Sequence, residues 1–189
     1  MSKSAEDPRR GETVSANRVP VWLKPCGMAC AVIGGGRVGA RRARRLAEAG
    51  AKVTLVSPAL GPEAALLVER GLVTWIDRAY QPGDLTNFAL AVAATDDPEV
   101  NAAVREEARA RGIWCNRADD ASDSDLDFAS VIQVGEVSVS IATGGARPGL
   151  AKRLREALEQ DLATGGDSFI RLLRRQADGP CADAWPPEP

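Results

Sequence analysis

Histidine is absent from this sequence of 189 residues, and aromatic residues make up only 4% of it. Without histidine there is no His general base, no His metal ligand and no Ser-His or Cys-His catalytic pair, so proton transfer falls to Asp, Glu, Lys, Tyr, Cys or water. Four cysteines are present, but none forms a CxxC pair, and Cys115 lies in a short run typical of a buried strand. We therefore predict no metal site.

A long hydrophobic run is also missing. The longest apolar stretches have the length of a strand, far below the ~20 residues of a membrane helix. No apolar stretch follows Arg9 and Arg10, as it would in a signal peptide. The net charge of −2 gives no electrostatic argument for a nucleic-acid partner. The sequence therefore predicts a cytoplasmic protein that binds neither nucleic acid nor membrane.

Strand-like and helix-like segments alternate along most of the chain, which predicts an α/β fold with a Rossmann-like, doubly wound parallel sheet. The predicted strands are 29–33, 52–56, 73–76, 88–94 and 112–116, and the predicted helices are 38–49, 62–70 and 98–111. After an Asp-rich loop, the alternating segments 128–134 and 136–142 predict a small antiparallel pair. C-terminal helices are predicted at 148–162 and 167–176.

A glycine-rich turn, Gly34 to Gly39, reads G-x-G-x-x-G between the first predicted strand and helix, the context in which this motif binds a dinucleotide. Gly34 allows the tight turn, Gly36 lets the backbone approach a diphosphate, and Gly39 lets the helix pack closely on the strand. The helix start adds free N–H groups and a positive dipole end. The predicted cofactor-binding residues of the turn are Gly34, Gly35, Gly36, Arg37, Val38 and Gly39; the alternative is a turn that binds nothing.

Two further strand ends face the predicted cofactor. An acid ~20 residues after the turn usually binds the ribose 2′-OH of NAD. Ser57 stands there instead, so NAD and NADP both remain open. At the end of the fourth strand we expect Thr95 and Asp96 near the nicotinamide ribose. The other interpretation is helix capping by Asp96 or Asp97 ahead of Pro98.

Four blocks of the sequence together resemble the precorrin-2 dehydrogenase family, the N-terminal part of siroheme synthases. They are Val32 to Gly39, Ala93 to Asp97 with Asn101, Cys115 to Asp119, and Thr143 to Arg155, in the family's order over about residues 21–162. The resemblance implies NAD-dependent oxidation of precorrin-2 to sirohydrochlorin by a homodimer. It implies a Rossmann domain at 21–118, a central dimerisation region at 119–147 and a helical region at 148–176. Charged residues without periodicity predict a disordered leader at 1–20, and the proline-rich composition of 177–189 predicts a disordered tail.

The same resemblance assigns site residues. Asp119 inherits the role of catalytic residue, and its position at the crevice end of the fifth strand agrees with it; the alternative is a loop Asp in an acidic run. The residues that inherit a place beside the tetrapyrrole are Asn116, Arg117, Thr143, Gly144, Gly145 and Arg147. Ser130 and Arg147 depart from the family pattern, where Pro and Ser are common. Alternative functions are additional iron insertion into sirohydrochlorin and a non-catalytic module that binds NAD or a tetrapyrrole.

Overall fold

The computed structural model describes residues 18–143, 147–169 and 171. The chain divides into two compact units, one from Val19 to Asp127 and one that begins at Phe128. Most of the predicted leader, the predicted tail and residues 172–176 of the last predicted helix lie outside the described residues. Within the part that is described, no helix combines the length and the apolar character that a membrane span requires.

The first unit is a parallel five-stranded sheet with three helices. Its strands stand in the order β3-β2-β1-β4-β5. The elements are β1 (Ala29–Ile33), α1 (Arg37–Glu48), β2 (Lys52–Val56), α2 (Pro62–Glu69), β3 (Val73–Ile76), β4 (Leu90–Ala93), α3 (Pro98–Arg111) and β5 (Trp114–Arg117). The predicted Rossmann-like parallel sheet is therefore confirmed.

The core of this unit forms because β1 and β4 are almost wholly apolar and are covered on both faces. Val104 and Ala108 of α3 pack with Ala31 and Ala91 on one face of the sheet. On the other face α1 comes so close that a Cβ on Gly39 would lie 3.5 Å from Val32. Each large apolar side chain buried in this way stabilises the fold by roughly 1.5–3 kcal/mol.

Two predicted strands differ from the observed ones at their starts. β4 begins at Leu90 instead of residue 88, because Asn87 has a φ of 68° and the Phe88 N–H donates to the Leu85 carbonyl in a turn. β5 begins at Trp114 instead of residue 112, because Gly112 is the left-handed C-cap of α3. In both places a local turn occupies residues whose apolar character alone indicated a strand.

The connection from β3 to β4 contains no helix, and a carboxylate of α3 holds it in place. Glu107, with 11% of its side chain exposed, accepts hydrogen bonds from the Tyr80 hydroxyl, the Gly83 N–H and the Leu85 N–H. These bonds replace the backbone ladder that a helix would have supplied. The buried Leu85 is thereby fixed against the α3 face of the sheet.

The second unit holds the predicted antiparallel pair and a long helix. β6 (Ser130–Val134) pairs with β7 (Val137–Ile141), and α4 (Pro148–Thr164) follows. Ala151 and Leu154 of α4 are buried, as is Ile132 of β6. The unit begins at Phe128, whereas the sequence predicted a boundary at residue 119. The difference arises because hydrogen bonds tie the intervening loop to β5.

Candidate functional site

Three neighbouring strands end level with one another. Ile33 of β1 lies beside Ala93 of β4, and Ala93 lies beside Arg117 of β5. The direction of chain winding reverses between β1 and β4, which in an open α/β sheet creates the ligand crevice outside the carboxyl ends. The residues that follow each strand therefore share one edge.

Two glycines of the predicted cofactor turn are required by packing where β1, β4 and α1 meet. Gly34 has a φ of 111°, and a Cβ there would lie 2.4 Å from the Ala94 carbonyl oxygen. A Cβ on Gly39 would lie 1.9 Å from the Gly34 carbonyl oxygen. These glycines let β1, β4 and α1 approach one another closely.

Gly36 differs from both, because a Cβ there would meet no protein atom within 4 Å. It is exposed and is the N-cap of α1, and its φ of −73° suits any residue. The N–H groups of Arg37, Val38 and Gly39 follow in the first turn, where a helix leaves its donors without helical partners.

Gly36 and Arg37 also line a cavity of about 300 Å³ whose opposite wall is the start of α2. Open space beside a helix N-terminus is what a diphosphate requires. The residues present thus fit the predicted dinucleotide.

The end of β2 is tied to the glycine turn. The Gly61 N–H donates to the Gly35 carbonyl over 2.9 Å, and a Cβ on Gly35 would lie 2.3 Å from the Ala59 carbonyl oxygen. The Ser57 hydroxyl donates to that same Ala59 oxygen over 2.7 Å, and only 7% of Ser57 is exposed. Since its proton is committed, Ser57 can offer a ribose only an acceptor lone pair.

At the end of β4 the two neighbouring acids, Asp96 and Asp97, differ in their contacts. Asp97 is the N-cap of α3 and accepts from the Glu99 N–H over 2.8 Å, so the capping interpretation is confirmed for Asp97. Asp96 is exposed, and its predicted cofactor contact stays a prediction. Thr95 donates its hydroxyl to the Asn101 side-chain oxygen over 2.8 Å, and the Asn101 amide donates back to the Thr95 carbonyl over 3.1 Å. Asn101, only 1% exposed, thereby fixes the predicted nicotinamide-side backbone.

Asp119 follows β5 at the same edge, with 30% of its side chain exposed. Arg117 donates to both carboxylate oxygens of Asp119, with Nη2 2.8 Å from Oδ2 and Nε 3.3 Å from Oδ1. This guanidinium lowers the pKa of Asp119, and the Asn101 amide lowers it further, against the opposing effect of burial. Asp119 is a carboxylate at neutral pH, as an aspartate is at its ordinary pKa of 3.8, and Asn101 links it to the end of β4.

Comparison with known proteins gives this edge its context. Residues 21–130 match a family model of NAD(P)-binding proteins, which is more than half of the chain. The chain belongs to this NAD(P)-binding family. A solved structure of SirC, a precorrin-2 dehydrogenase, resembles this NAD(P)-binding protein with a TM-score of 0.65 and 28% identity, over 84% of this chain and 76% of that one.

Curated relatives of this NAD(P)-binding protein are siroheme synthases. The siroheme synthase of Chromobacterium violaceum is 43% identical over 155 residues, which are 82% of this chain and 32% of the relative. Siroheme synthase 1 of Aeromonas salmonicida is 42% identical over 141 residues, 75% of this chain and 30% of the relative. The chain thus spans about a third of the length of these relatives.

Not every residue predicted to contact substrate lies open in this NAD(P)-binding protein. Asn116 is 4% exposed and donates its amide to the Leu126 carbonyl over 2.9 Å, so it fastens the loop after β5. Thr143 donates to the Arg147 carbonyl over 2.9 Å in the turn before α4, and Arg147 is the N-cap of that helix. Gly144 and Gly145 lie outside the described residues.

Sequence reasoning gave no site role to Asn101 or Arg105, both of which the structure buries. On α3 they share the inward stripe with Val104 and Ala108. Polar side chains at stripe positions of an amphipathic helix need buried partners, and that signal was present in the sequence. Their partners lie at the end of β4 and in the Asp-rich loop.

Proposed function

We propose that this protein oxidises precorrin-2 to sirohydrochlorin with NAD as the acceptor. The observation that carries the proposal is the shared carboxyl edge, where an open glycine turn, the Thr95–Asn101 pair and the ionised Asp119 follow three adjacent strands. The likeness to a precorrin-2 dehydrogenase structure and to siroheme synthases supports this choice of substrate.

The glycine turn serves as the cofactor cradle in this proposal. The bare backbone at Gly36 allows a diphosphate to approach the first N–H groups of α1, while Thr95 borders the nicotinamide end. Bound NAD supplies the acceptor for the hydride that precorrin-2 loses. Asn101 keeps the Thr95 backbone in one position, so that the cofactor meets a preformed edge.

Asp119 takes the proton that leaves with the hydride, either directly or through a water that it orients. Its carboxylate is partly exposed at the carboxyl edge of the sheet and is ionised at neutral pH, as an aspartate is at its ordinary pKa of 3.8, while Arg117 holds it in one orientation. The residue type also fits the composition, since a protein without histidine needs a carboxylate or another weak base here. Oxidation then releases one hydride and one proton from the substrate.

Further roles are proposed for residues after Phe128 on the strength of the family resemblance. Thr143, Gly144, Gly145 and Arg147 are proposed to contact substrate carboxylates, as the family resemblance implies. The pair β6 and β7 is proposed to join two subunits into a homodimer, and its exposed Val134 and Val137 support that role. A cytoplasmic location belongs to the same proposal.

The test is NAD-dependent formation of sirohydrochlorin by the purified protein, with NADP in a parallel assay. Asp119→Ala should lower kcat by about 10²- to 10⁴-fold, the usual contribution of a positioned proton acceptor. Asp120→Ala is the matched control, because it removes a neighbouring loop carboxylate that accepts from Ser122. Undiminished turnover by Asp119→Ala would remove Asp119 from the mechanism. Tight NAD binding without turnover of precorrin-2 by the wild type would favour the non-catalytic module.

A further inference from the structure

The guanidinium nitrogens of Arg117 already have partners within the protein. Its Nε and Nη2 both contact Asp119, and its Nη1 lies 3.1 Å from Oδ2 of Asp123. Only 12% of the side chain is exposed. All three guanidinium nitrogens are thus engaged by acids of the loop that follows β5, although the family resemblance implied a contact with the tetrapyrrole.

We propose that Arg117 is a positioning residue for Asp119, held in place by Asp123, and that it does not bind a carboxylate of the substrate. This inference rests on the proposed function, in which Asp119 accepts a proton from precorrin-2. It assigns to one residue of β5 the orientation of the reacting carboxylate. The sequence predicted no role for Asp123.

The anchor of this arrangement is α3, through the buried Arg105 and the neighbouring Arg109. Asp123 accepts from Arg105 Nε over 3.2 Å and from Arg109 Nη2 over 3.0 Å, both through Oδ1. Arg105, with 10% of its side chain exposed, also forms a two-point contact with Asp125. The ion pairs therefore run from α3 through Asp123 to Arg117 and end on Asp119.

Backbone contacts hold the same loop to β5. The Arg117 N–H donates to the Ser124 hydroxyl over 2.8 Å, and the Cys115 N–H donates to the Asp125 carboxylate over 2.9 Å. These bonds fasten the loop to β5 at Ser124 and Asp125. A carboxylate held by a planar two-point fork on such a support has one orientation before substrate arrives, which is the preorganisation that proton transfer requires.

The charges that face Asp119 agree with this role. From β5 the facing group is Arg117; from α3 it is the neutral Asn101 amide, and the Asp120 and Asp123 carboxylates belong to its own loop. Arg105 and Arg109 of α3 neutralise Asp123, so that Arg117 keeps its attraction for Asp119. Loss of Arg117 should raise the pKa of Asp119, since its guanidinium is the largest cause that lowers it.

The kinetic test compares Arg117→Gln and Arg117→Lys with wild type, in the full chain, with precorrin-2 and NAD. Lysine keeps the charge but cannot form the fork. Both variants should lose kcat on the order of 10- to 100-fold, the cost of a small misplacement of a reacting group. The KM for precorrin-2 should stay within about threefold. A large rise in KM with kcat retained would overturn the proposal in favour of a substrate contact.

The control variant is Arg111→Gln, which removes the same charge from α3 where it pairs with Glu107, away from this loop. Asp123→Asn is the second variant: it leaves Arg117 intact and should lower kcat in the same direction. If Arg117→Gln fails to fold, Asp123→Asn and Arg117→Lys still decide the question. Unchanged kcat in both would refute the positioning role.

An activity-independent readout separates this proposal from the proposed function. The carboxyl ¹³C shift of Asp119, assigned with Asp119→Asn, should titrate at a higher pH in Arg117→Gln than in wild type, and at the wild-type pH in Arg111→Gln. If the wild type does not oxidise precorrin-2, the proposed function fails, while this titration still tests the coupling. An Asp119 titration that is the same in all variants overturns the inference even if the enzyme is active.

Discussion

Gly36→Ala is the substitution that tests the cofactor cradle most directly. Because a Cβ at Gly36 would meet no protein atom within 4 Å and the backbone φ is −73°, alanine fits the folded chain without strain. The methyl group would instead occupy the space through which a diphosphate reaches the first N–H groups of α1. The change should therefore leave folding intact and weaken cofactor binding.

The two magnitudes can be worked out separately. Alanine is a poorer N-cap than glycine by roughly 0.5–1 kcal/mol, but it restricts the unfolded chain by about 0.4–1 kcal/mol. The net change in the free energy of unfolding should thus be within about 0.5 kcal/mol, or about 2 °C in Tm for a chain of this size. Losing one charge-assisted hydrogen bond to the diphosphate costs about 1.5–3 kcal/mol, which raises the Kd for NAD by roughly 10- to 100-fold.

Gly39→Ala is the matched control, since the same methyl group would lie 1.9 Å from the Gly34 carbonyl oxygen. Such overpacking costs about 1–3 kcal/mol or more, which lowers Tm by about 3–10 °C. Calorimetric titration with NAD and thermal unfolding by circular dichroism measure both quantities on both variants. Wild-type affinity for NAD in folded Gly36→Ala would refute the cradle, and an equal loss of Tm in the two variants would refute the packing argument.

Two further predictions concern the supports of the site. Burial opposes ionisation of Asp125, but hydrogen bonds from Arg105 and the Cys115 N–H more than offset it and lower its pKa below the ordinary 3.8. Its contribution to stability is present above about pH 4 and is lost as the pH falls through the lowered pKa. The free energy of unfolding, measured with urea between pH 6 and pH 3, should therefore fall less steeply in Asp125→Asn than in wild type. Parallel curves for the two proteins would contradict this. Glu107→Ala leaves three donors of the β3–β4 connection without their acceptor and should reduce the free energy of unfolding by about 2–3 kcal/mol, whereas Glu106→Ala, at a carboxylate with 68% exposure, should change it by less than about 0.5 kcal/mol. Equal effects of the two glutamates in chemical denaturation would show that the hydrogen bonds to Glu107 contribute little.

The parts of the fold that the sequence predicted well are those with strong local signals. α3 agrees at both ends with the predicted 98–111, because Asp97 and Pro98 begin the helix and Gly112, at a φ of 68°, ends it. β1 and β2 agree as well, since β1 is a continuous apolar run that ends at Gly34, and β2 lies between Gly50 and the Ser57-Pro58 turn. β4 and β5 were extended too far at their starts, because apolar residues in turns look the same as apolar residues in strands.

The sequence could predict the glycine turn and the strand end that carries Asp119, but not the side-chain contacts of the site. The glycine turn combines a motif with a context, and both are local in sequence. By contrast, the pairing of Arg105 with Asp123 joins residues 18 positions apart, and no periodic pattern connects a helix interior to a loop. The sequence therefore located Asp119 at the right edge of the sheet but could not indicate that Arg117 would face Asp119 and Asp123.

The Asp-rich run after β5 shows why composition alone misjudges such a loop. A run of acids favours a solvated loop, yet these carboxylates have distinct partners. Asp123 and Asp125 share the buried Arg105, and Asp120 accepts from Ser122. Asp119 alone combines the Arg117 fork with a link through Asn101 to the end of β4. The neighbouring acids thus hold the loop, and that support leaves Asp119 as a partly exposed carboxylate with a fixed orientation.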